Sequence, residues 1–294
     1  MITRDNLLAE LERLLGWEAY DRLKGPGAAE ALRAAPYWRV RDAYTGLMVN
    51  VAEARAKLLS PPLPPDGLAP YSDRDIRYMT ASGLKDAARI SEAIDAHAPW
   101  ARRVLDFGCG TGRLTRFLAQ FRPDLALQGC DVNAGAVAWM RAARMPGAYR
   151  VIGPAPPTAY ADSAADVVFA WSIFSHFSEA MASRWLAELM RLTAPGGLVL
   201  LTIHRPEAFE QPQEDGGHAL ADPDRFFADF AARGFAFAPS YDESAVDFGV
   251  NPSGFGDALI SEDYIRRNWS ALADVVDIVE VVEGWQDLVI LRKP

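Results

Sequence analysis

Apolar residues recur at helical spacing through the first hundred residues of the chain. The first such run has Asn6 as its expected N-cap and Gly16 just past its end, and its apolar positions are Leu7, Leu8, Leu11, Leu14 and Leu15. Two further helices are predicted at about 44–59 and 82–96, and Pro99 ends the second. We therefore expect residues 1–98 to form a helical N-terminal cap.

From residue 103 onward, short apolar runs alternate with helical patterns. Strands are predicted at 103–106, 125–130, 166–170 and 198–202, with a turn at 195–197 before the last of them. Short apolar strands separated by helices are typical of a parallel sheet covered on both faces. Two closing strands, 275–282 and 285–291, have so short a link that they must be antiparallel. The pattern predicts an α/β domain over residues 99–294, whose last strand is reversed.

Residues 205–260 interrupt this alternation. They are rich in Gly, Pro, Asp and Phe, with one helix expected at 223–232. Connections of this length in a compact domain are usually functional. We expect a substrate-side insertion here, and a helix capped by Ser261 directly after it.

Charge and composition exclude several classes of function. The chain has 30 basic and 39 acidic residues, a net charge of −9, which disfavours a nucleic-acid partner. The sequence contains neither an apolar run of the roughly 20 residues that a membrane helix needs nor a secretory signal core at its start. Two cysteines imply no disulfide framework. These observations favour a cytoplasmic protein without a membrane partner.

A glycine-rich loop follows the first predicted strand. Gly108, Gly110 and Gly112 alternate there, and a helix begins directly after them. Glycine permits positive φ and close approach of a ligand, and a helix N-terminus presents free N–H groups. A dinucleotide site requires Gly-x-Gly-x-x-Gly, but Arg113 and Thr115 occupy the two positions where its third glycine would fall. The pattern is Asp-x-Gly-x-Gly-x-Gly, beginning at residue 106.

The second predicted strand ends at Asp131. A carboxylate at this position can accept both hydroxyls of a ribose. The alternative is that Asp131 caps the helix that begins near Asn133.

The loop and Asp131, the segment 156–168 and Pro195-Gly196-Gly197 together resemble the class I, Rossmann-like S-adenosylmethionine-dependent methyltransferases. The resemblance implies a Rossmann-like sheet with S-adenosylmethionine as cofactor. By it, Asp106 helps to bind the cofactor's ammonium group and Gly108 and Gly110 line its path. The resemblance implies five further cofactor contacts. One of them, Tyr78, lies before the first strand, and the others are Cys109, Gly112, Val132 and Trp171.

The sequence departs from the family pattern after the third strand. Many members carry an acidic residue near the adenine amine, where this chain reads Gly153-Pro154-Ala155. The chain also resembles one branch of the family, through 106–110, Ser-x-Phe-x-His at 172–176 and Gly-Trp-Gln-Asp-Leu at 284–288. That branch implies methylation of small molecules, including sugar-related ones.

Histidines are the candidate catalytic residues. Methyl transfer needs alignment and desolvation, and a hydroxyl acceptor also needs a base. His176 and His204 follow the fourth and fifth strands, at the sheet edge where ligands bind. The alternatives are a capping or packing role for His176 and a loop hydrogen bond for His204. No metal site is expected, because the spacing of His204 and His218 with Glu214 and Asp215 fits no known ligand pattern.

We expect a methyltransferase that acts on a small-molecule acceptor, on oxygen rather than on nitrogen or sulfur, with a homodimer as one assembly to consider. One alternative is a protein that binds S-adenosylmethionine without transferring methyl, either as a regulatory subunit or by using the sulfonium for other chemistry. A nucleic-acid or protein methyltransferase is disfavoured by the charge, and by Trp171-Ser172-Ile173-Phe174 standing where DNA amino-methylating enzymes carry Asn-Pro-Pro-Tyr or Asp-Pro-Pro-Tyr.

Overall fold

The computed structural model describes residues 2–50, 64–65, 68, 76–209, 220–239, 254–282 and 285–294. Its N-terminal part is helical, as the spacing of apolar residues predicts. The helices there are α1 (Arg4–Leu14), α2 (Trp17–Lys24), α3 (Ala28–Arg33), α4 (Tyr37–Asn50) and α5 (Ile76–His97). The prediction of Asn6 as N-cap of α1 is wrong: Thr3 is the N-cap, and Asn6 completes a capping box with it.

Strands and helices alternate after α5. They are β1 (Arg103–Phe107), α6 (Arg113–Phe121), β2 (Ala126–Asp131), α7 (Ala134–Ala142), β3 (Ala148–Val151), β4 (Ala165–Ala170), α8 (Glu179–Leu192), β5 (Thr193–His204), α9 (Pro223–Arg233), β6 (Phe235–Pro239), β7 (Gly256–Ile260), α10 (Glu262–Asn268), β8 (Asp274–Val282) and β9 (Gln286–Arg292). The residues predicted as a turn, 195–197, lie within β5, but they interrupt its pairing with β4, which shifts register between Thr193 and Leu198, and Gly196 has φ +71°.

The strands of the described residues form one mostly parallel sheet. β1 to β5 are parallel in the order β3-β2-β1-β4-β5, and β9 is antiparallel to both β5 and β8. The predicted Rossmann-like fold with a reversed C-terminal strand is therefore confirmed. In the part of the chain that the structure describes, no helix is long and apolar enough to cross a membrane.

The segment 205–260 contributes two strands that the sequence analysis did not predict. β6 and β7 form an antiparallel pair, and β7 joins the sheet beside His204. The pairing of β4 with β5 ends at Leu201, so β7 continues along β5 beyond the end of β4. β6 and β7 therefore lie at the carboxyl edge of the sheet.

Apolar side chains fill both faces of the sheet. One large cluster includes Leu11 and Tyr44 from the N-terminal helices, Phe117 of α6 and Phe169 of β4. The other joins the opposite face to α8 and α10. Burial on both faces explains why the central strands read as continuous apolar runs.

Candidate active site

The glycine loop lies between the end of β1 and the start of α6, and its three glycines have different surroundings. All three have positive φ, which L side chains rarely adopt. A Cβ at Gly108 would overlap Ile173 Cδ1, and one at Gly112 would lie 2.6 Å from Met145 Cε. A Cβ at Gly110 would meet nothing within 4 Å. Gly110 is therefore the loop glycine that faces open space, whereas Gly108 and Gly112 are held by contacts within the protein.

Asp131 joins the end of β2 to this loop. Its Oδ2 accepts a hydrogen bond from Gly110 N at 2.7 Å, and its Oδ1 accepts one from Asn133 N at 2.8 Å. Burial raises the pKa of Asp131, while backbone N–H groups of Asn133, Gly110 and Val132 lower it. Asn133 itself caps α7 through Ala136 N, so Asp131 is not the cap of that helix.

The S-adenosylmethionine nucleoside fits this arrangement. A carboxylate has about four acceptor positions, so each oxygen of Asp131 can accept a ribose hydroxyl besides its backbone donor. The open side of Gly110 leaves space for the ligand where a side chain would fill it.

Asp106 and Cys109 lie on the inner side of the loop. Asp106 is buried, and Thr115 Oγ1 donates a hydrogen bond to its Oδ2 at 2.7 Å. The Cys109 side chain is buried against Val137, Met140, Met145 and Tyr149. Burial and the nearby Asp106 carboxylate raise the pKa of its thiol. Both side chains support the loop from within, and their contacts with the cofactor stay a prediction.

The remaining predicted cofactor residues are placed at two strand ends and in α5. Val132 follows Asp131 directly and is half-buried. Trp171 follows β4, is buried, and packs in the cluster shared with the N-terminal helices. Tyr78 lies in α5, but its side chain falls outside the described residues, as do His218, Glu214 and Asp215.

The structure brings His176 and His204 together. Their ring centroids are 5.2 Å apart, and the rings are nearly perpendicular. His176 Nδ1 lies 2.9 Å from Gly256 O and 3.4 Å from Asp257 Oδ1, both in β7. His204 Nδ1 lies 3.3 Å from Ala258 O. One strand of the 205–260 segment thus orients both imidazoles.

These contacts assign the tautomer of His176. A backbone carbonyl only accepts, so Nδ1 of a neutral ring must carry the proton and Nε2 is the basic nitrogen. The side chain of His176 is 24% exposed, whereas His204 is 3% exposed. His176 is therefore the histidine that an acceptor can reach.

Aromatic rings enclose the pair. Phe255 stacks on His176 with centroids 5.2 Å apart, and Phe209 meets His204 edge-on at 5.4 Å. Apolar walls of this kind favour desolvation of the reacting groups.

A set of hydrogen-bonded polar residues also lies beside His204. Ser172 N donates to Thr202 Oγ1 at 2.7 Å, and Ser172 Oγ donates to Gln286 Oε1 at 3.1 Å. Gln286 pairs directly with His204 across β5 and β9. Ser172 of the motif at 172–176 therefore contacts Gln286 of the motif at 284–288, although the two lie far apart in sequence.

Sequence reasoning missed Asp257, the contact of Phe255 with His176 and the link from Ser172 to Gln286. Asp257 and Phe255 lie in a segment without recognisable periodicity, and only the tertiary fold brings them to His176. The two motifs that contain Ser172 and Gln286 were visible in the sequence, but not their contact. Among the described residues, no group of three or more His, Cys, Asp or Glu side chains could hold a metal ion.

The chain is similar to known proteins in sequence and in fold. A family model described as "Methyltransferase domain" matches residues 104–197, the stretch from β1 to the start of β5. The chain is 28% identical over 206 residues to trans-aconitate 2-methyltransferase of Methylobacterium nodulans, covering 68% of this chain and 73% of that protein.

A second curated relative matches a shorter stretch. Phthiotriol/phenolphthiotriol dimycocerosates methyltransferase 1 of Mycobacterium ulcerans is 35% identical over 109 residues, 36% of this chain and 38% of that protein. Among solved structures, Burkholderia thailandensis 1,6-didemethyltoxoflavin-N1-methyltransferase aligns with a TM-score of 0.49 at 15% identity, covering 81% of this chain and 88% of that one.

Proposed function

Because the chain belongs to the class I S-adenosylmethionine-dependent methyltransferases through its domain at residues 104–197, we propose that it methylates a hydroxyl group of a small molecule, with His176 as the base. When bound, S-adenosylmethionine supplies a methyl group on a positively charged sulfur. Asp131 and the open side of Gly110 hold the nucleoside. The further cofactor contacts that we propose are those implied by the family resemblance: Asp106, Gly108, Cys109, Gly112, Val132, Trp171 and Tyr78.

The position of His176 carries the proposal. Its basic Nε2 belongs to an imidazole fixed by Gly256 and Asp257, at the edge where β4 and β5 end. A hydroxyl would lose its proton to the imidazole as the new C–O bond forms and the methyl carbon–sulfur bond breaks, with the electron pair of that bond left on a neutral thioether sulfur. The Asp257 carboxylate, close to Nδ1, then stabilises the imidazolium. His204 packs against this ring as a positioning residue.

The charges around the pair support a neutral hydroxyl rather than a carboxylate acceptor. Arg205, at the end of β5, forms ion pairs with Glu280 at 2.8 Å, Glu207 at 3.3 Å and Asp287 at 3.5 Å. This guanidinium is compensated by three acidic groups, and Asp257 adds another negative charge beside His176. An anionic acceptor would be repelled here, and it would need no base.

The first test combines binding with an acceptor screen. We expect the wild type to bind S-adenosylmethionine in calorimetry and to add one methyl, detected by mass, to members of a panel of neutral small-molecule alcohols and phenols. His176→Asn keeps a donor toward Gly256 O but removes the base. It should retain cofactor affinity and lose about 10²- to 10⁴-fold in turnover.

The matched control is His97→Asn at the far end of α5, which should leave turnover unchanged. If His176→Asn retains full turnover, the base assignment is wrong. Methylation confined to carboxylates or amines would overturn the choice of a hydroxyl acceptor.

A further inference from the structure

Gln286 begins β9 next to the two histidines. It pairs with His204 of β5, so their side chains lie on the same face of the sheet, with Cβ atoms about 4.5–5.5 Å apart. Leu200 and Leu288, an even number of residues away on the same strands, belong to the apolar cluster shared with the N-terminal helices, so those helices cover this face. The imidazole of His176 contacts that of His204. His204 is thus the common neighbour of Gln286 and the proposed base.

The carboxamide of Gln286 uses one of its two ends within the protein. Gln286 is 9% exposed, and its Oε1 accepts a hydrogen bond from Ser172 Oγ at 3.1 Å. Its Nε2 donates to no residue in the part of the chain that the structure describes. This nitrogen is also not among the fully buried side-chain atoms of the described residues that lack a partner, so part of its surface is accessible. A carboxamide nitrogen carries two N–H donors, and both are available to a ligand.

Ser172 fixes the direction of this carboxamide. Its own backbone N–H donates to Thr202 Oγ1 at 2.7 Å, and its φ is +54°. Because the oxygen and the nitrogen of a carboxamide lie on opposite branches of one plane, an oxygen bound to Ser172 turns the nitrogen away from it. Two residues further along β9, the apolar Leu288 meets the packing requirement of the same face. Packing alone therefore does not explain a nearly buried glutamine whose donor no described residue satisfies.

We propose that Gln286 is an acceptor-binding residue, whose Nε2 donates a hydrogen bond to an uncharged oxygen of the acceptor other than the hydroxyl that is methylated. Carbonyl, ether and hydroxyl oxygens all accept such a bond, whereas an ammonium or an alkyl group does not. Ser172 is the positioning residue for the carboxamide. This inference rests on the proposed function and narrows its substrate class to neutral molecules with a second oxygen, such as polyols and hydroxylated ethers or ketones.

Matched pairs of acceptors isolate this second oxygen. Tetrahydropyranols are compared with cyclohexanol, and methoxymethylphenols with propylphenols of the same ring position, so that an ether oxygen replaces one methylene group. The wild type should prefer the ether of at least one pair by about 5- to 10-fold in kcat/KM, because its oxygen pairs with Nε2. Gln286→Met keeps the side-chain length but removes the donor. It should lower kcat/KM for that ether by about 5- to 10-fold, mainly through KM, and change the hydrocarbon by less than about twofold.

Two further variants control this result. Gln128→Met makes the same replacement at a half-buried glutamine inside β2 and should change neither member of a pair. Ser172→Ala removes the hydroxyl that holds the carboxamide and should lower the preference for the ether by about 2- to 5-fold. In the Gln286→Met background it should have no further effect on that preference, because residues that act through one another are not additive.

The outcomes separate this inference from the proposed function. A wild type that methylates only carboxylates or amines overturns the proposed function. If the wild type methylates hydroxyls but prefers no ether, or if Gln286→Met lowers both members of a pair equally or neither, Gln286 is structural and this inference alone is wrong. Should Gln286→Met lack a cooperative thermal transition, Gln286→Glu is measured instead. Its carboxylate still accepts from Ser172 but places an acceptor where the donor was, so the preference for the ether must fall by at least as much.

Discussion

Ser172 combines an unusual backbone with a position in the candidate active site. Its φ is +54°, in the left-handed region, and it is not a glycine. The fold holds it there through the bonds to Thr202 and Gln286. Such conformations cost about 1–3 kcal/mol and concentrate at functional sites. Here the conformation turns the chain from β4 toward His176.

Substitution of Ser172 measures this strain. Gly and Ala at 172 both lack the Oγ that donates to Gln286, so their difference reports the backbone alone. We expect Ser172→Gly to be more stable than Ser172→Ala by about 1 kcal/mol, because only glycine adopts positive φ without strain. Urea denaturation measures the difference.

Ser183, exposed in the middle of α8, provides the control. Its glycine variant should be less stable than its alanine variant by about 1 kcal/mol, the ordinary helix preference. The same order at both positions would mean that Ser172 is not strained.

Single site residues could be predicted from the sequence where an acidic residue or a histidine stands at the end of a predicted strand. Asp131 and His204 are the last residues of β2 and β5, and His176 follows β4, so the sequence placed all three at the carboxyl edge of the sheet. The different surroundings of Gly108 and Gly110 were not predictable, because Ile173, which fills the space beside Gly108, is 65 residues away in the chain.

At the scale of elements, Glu188 of α8 forms hydrogen bonds with the segment that precedes β4. Its Oε1 accepts hydrogen bonds from Thr158 N at 2.7 Å and from Thr158 Oγ1 at 2.6 Å, and Arg191 pairs with it at 2.7 Å. Burial opposes ionisation, but the bonds from Arg191 and Thr158 prevail and lower the pKa of Glu188 to about 2. The charged carboxylate therefore stabilises the folded protein.

Glu188→Gln should remove this contribution in a pH-dependent way. A carboxyl whose pKa is depressed by folding stabilises above its ordinary value of 4.5, and the effect disappears as the pH falls toward 2. We expect a loss of about 2–3 kcal/mol at pH 7, which shrinks between pH 4.5 and pH 2. Urea unfolding of variant and wild type across this range measures it.

Glu92→Gln is the comparison, since its carboxylate pairs with Arg89 on the exposed face of α5. This exposed pair should contribute less than about 1 kcal/mol at any pH. A Glu188→Gln effect that is constant with pH would show that lost packing, not charge, is responsible.

Most elements were predictable because their apolar periodicity is strong. The central strands, α9 and the closing antiparallel pair all follow from it. β3 was implied by the family resemblance but not by periodicity, because only Tyr149 of its four residues is buried and the strand shows no alternation. β6 and β7 were missed because their pairing depends on β5, far away in sequence.

At the scale of the whole molecule, the N-terminal helices share a core with the sheet. Leu11, Tyr44 and Val40 belong to the same apolar cluster as Phe169 of β4 and Leu200 of β5. Polar bonds reinforce it, since Gln120 Nε2 of α6 donates to Glu10 Oε1 at 2.8 Å and to Tyr44 Oη at 3.0 Å. A shared core predicts one cooperative unfolding unit rather than a detachable cap.

Leu11→Ala tests this cooperativity, because Leu11 is buried in α1, far in sequence from the sheet strands. Removing its side chain should destabilise by about 2–5 kcal/mol. If unfolding is cooperative, hydrogen exchange in peptides from both α1 and β4 must show the same decrease in opening free energy. Leu23→Ala, at a residue 54% exposed, should change neither region. A decrease confined to α1 would instead mean that the helices open independently, and the cofactor site could then form without them.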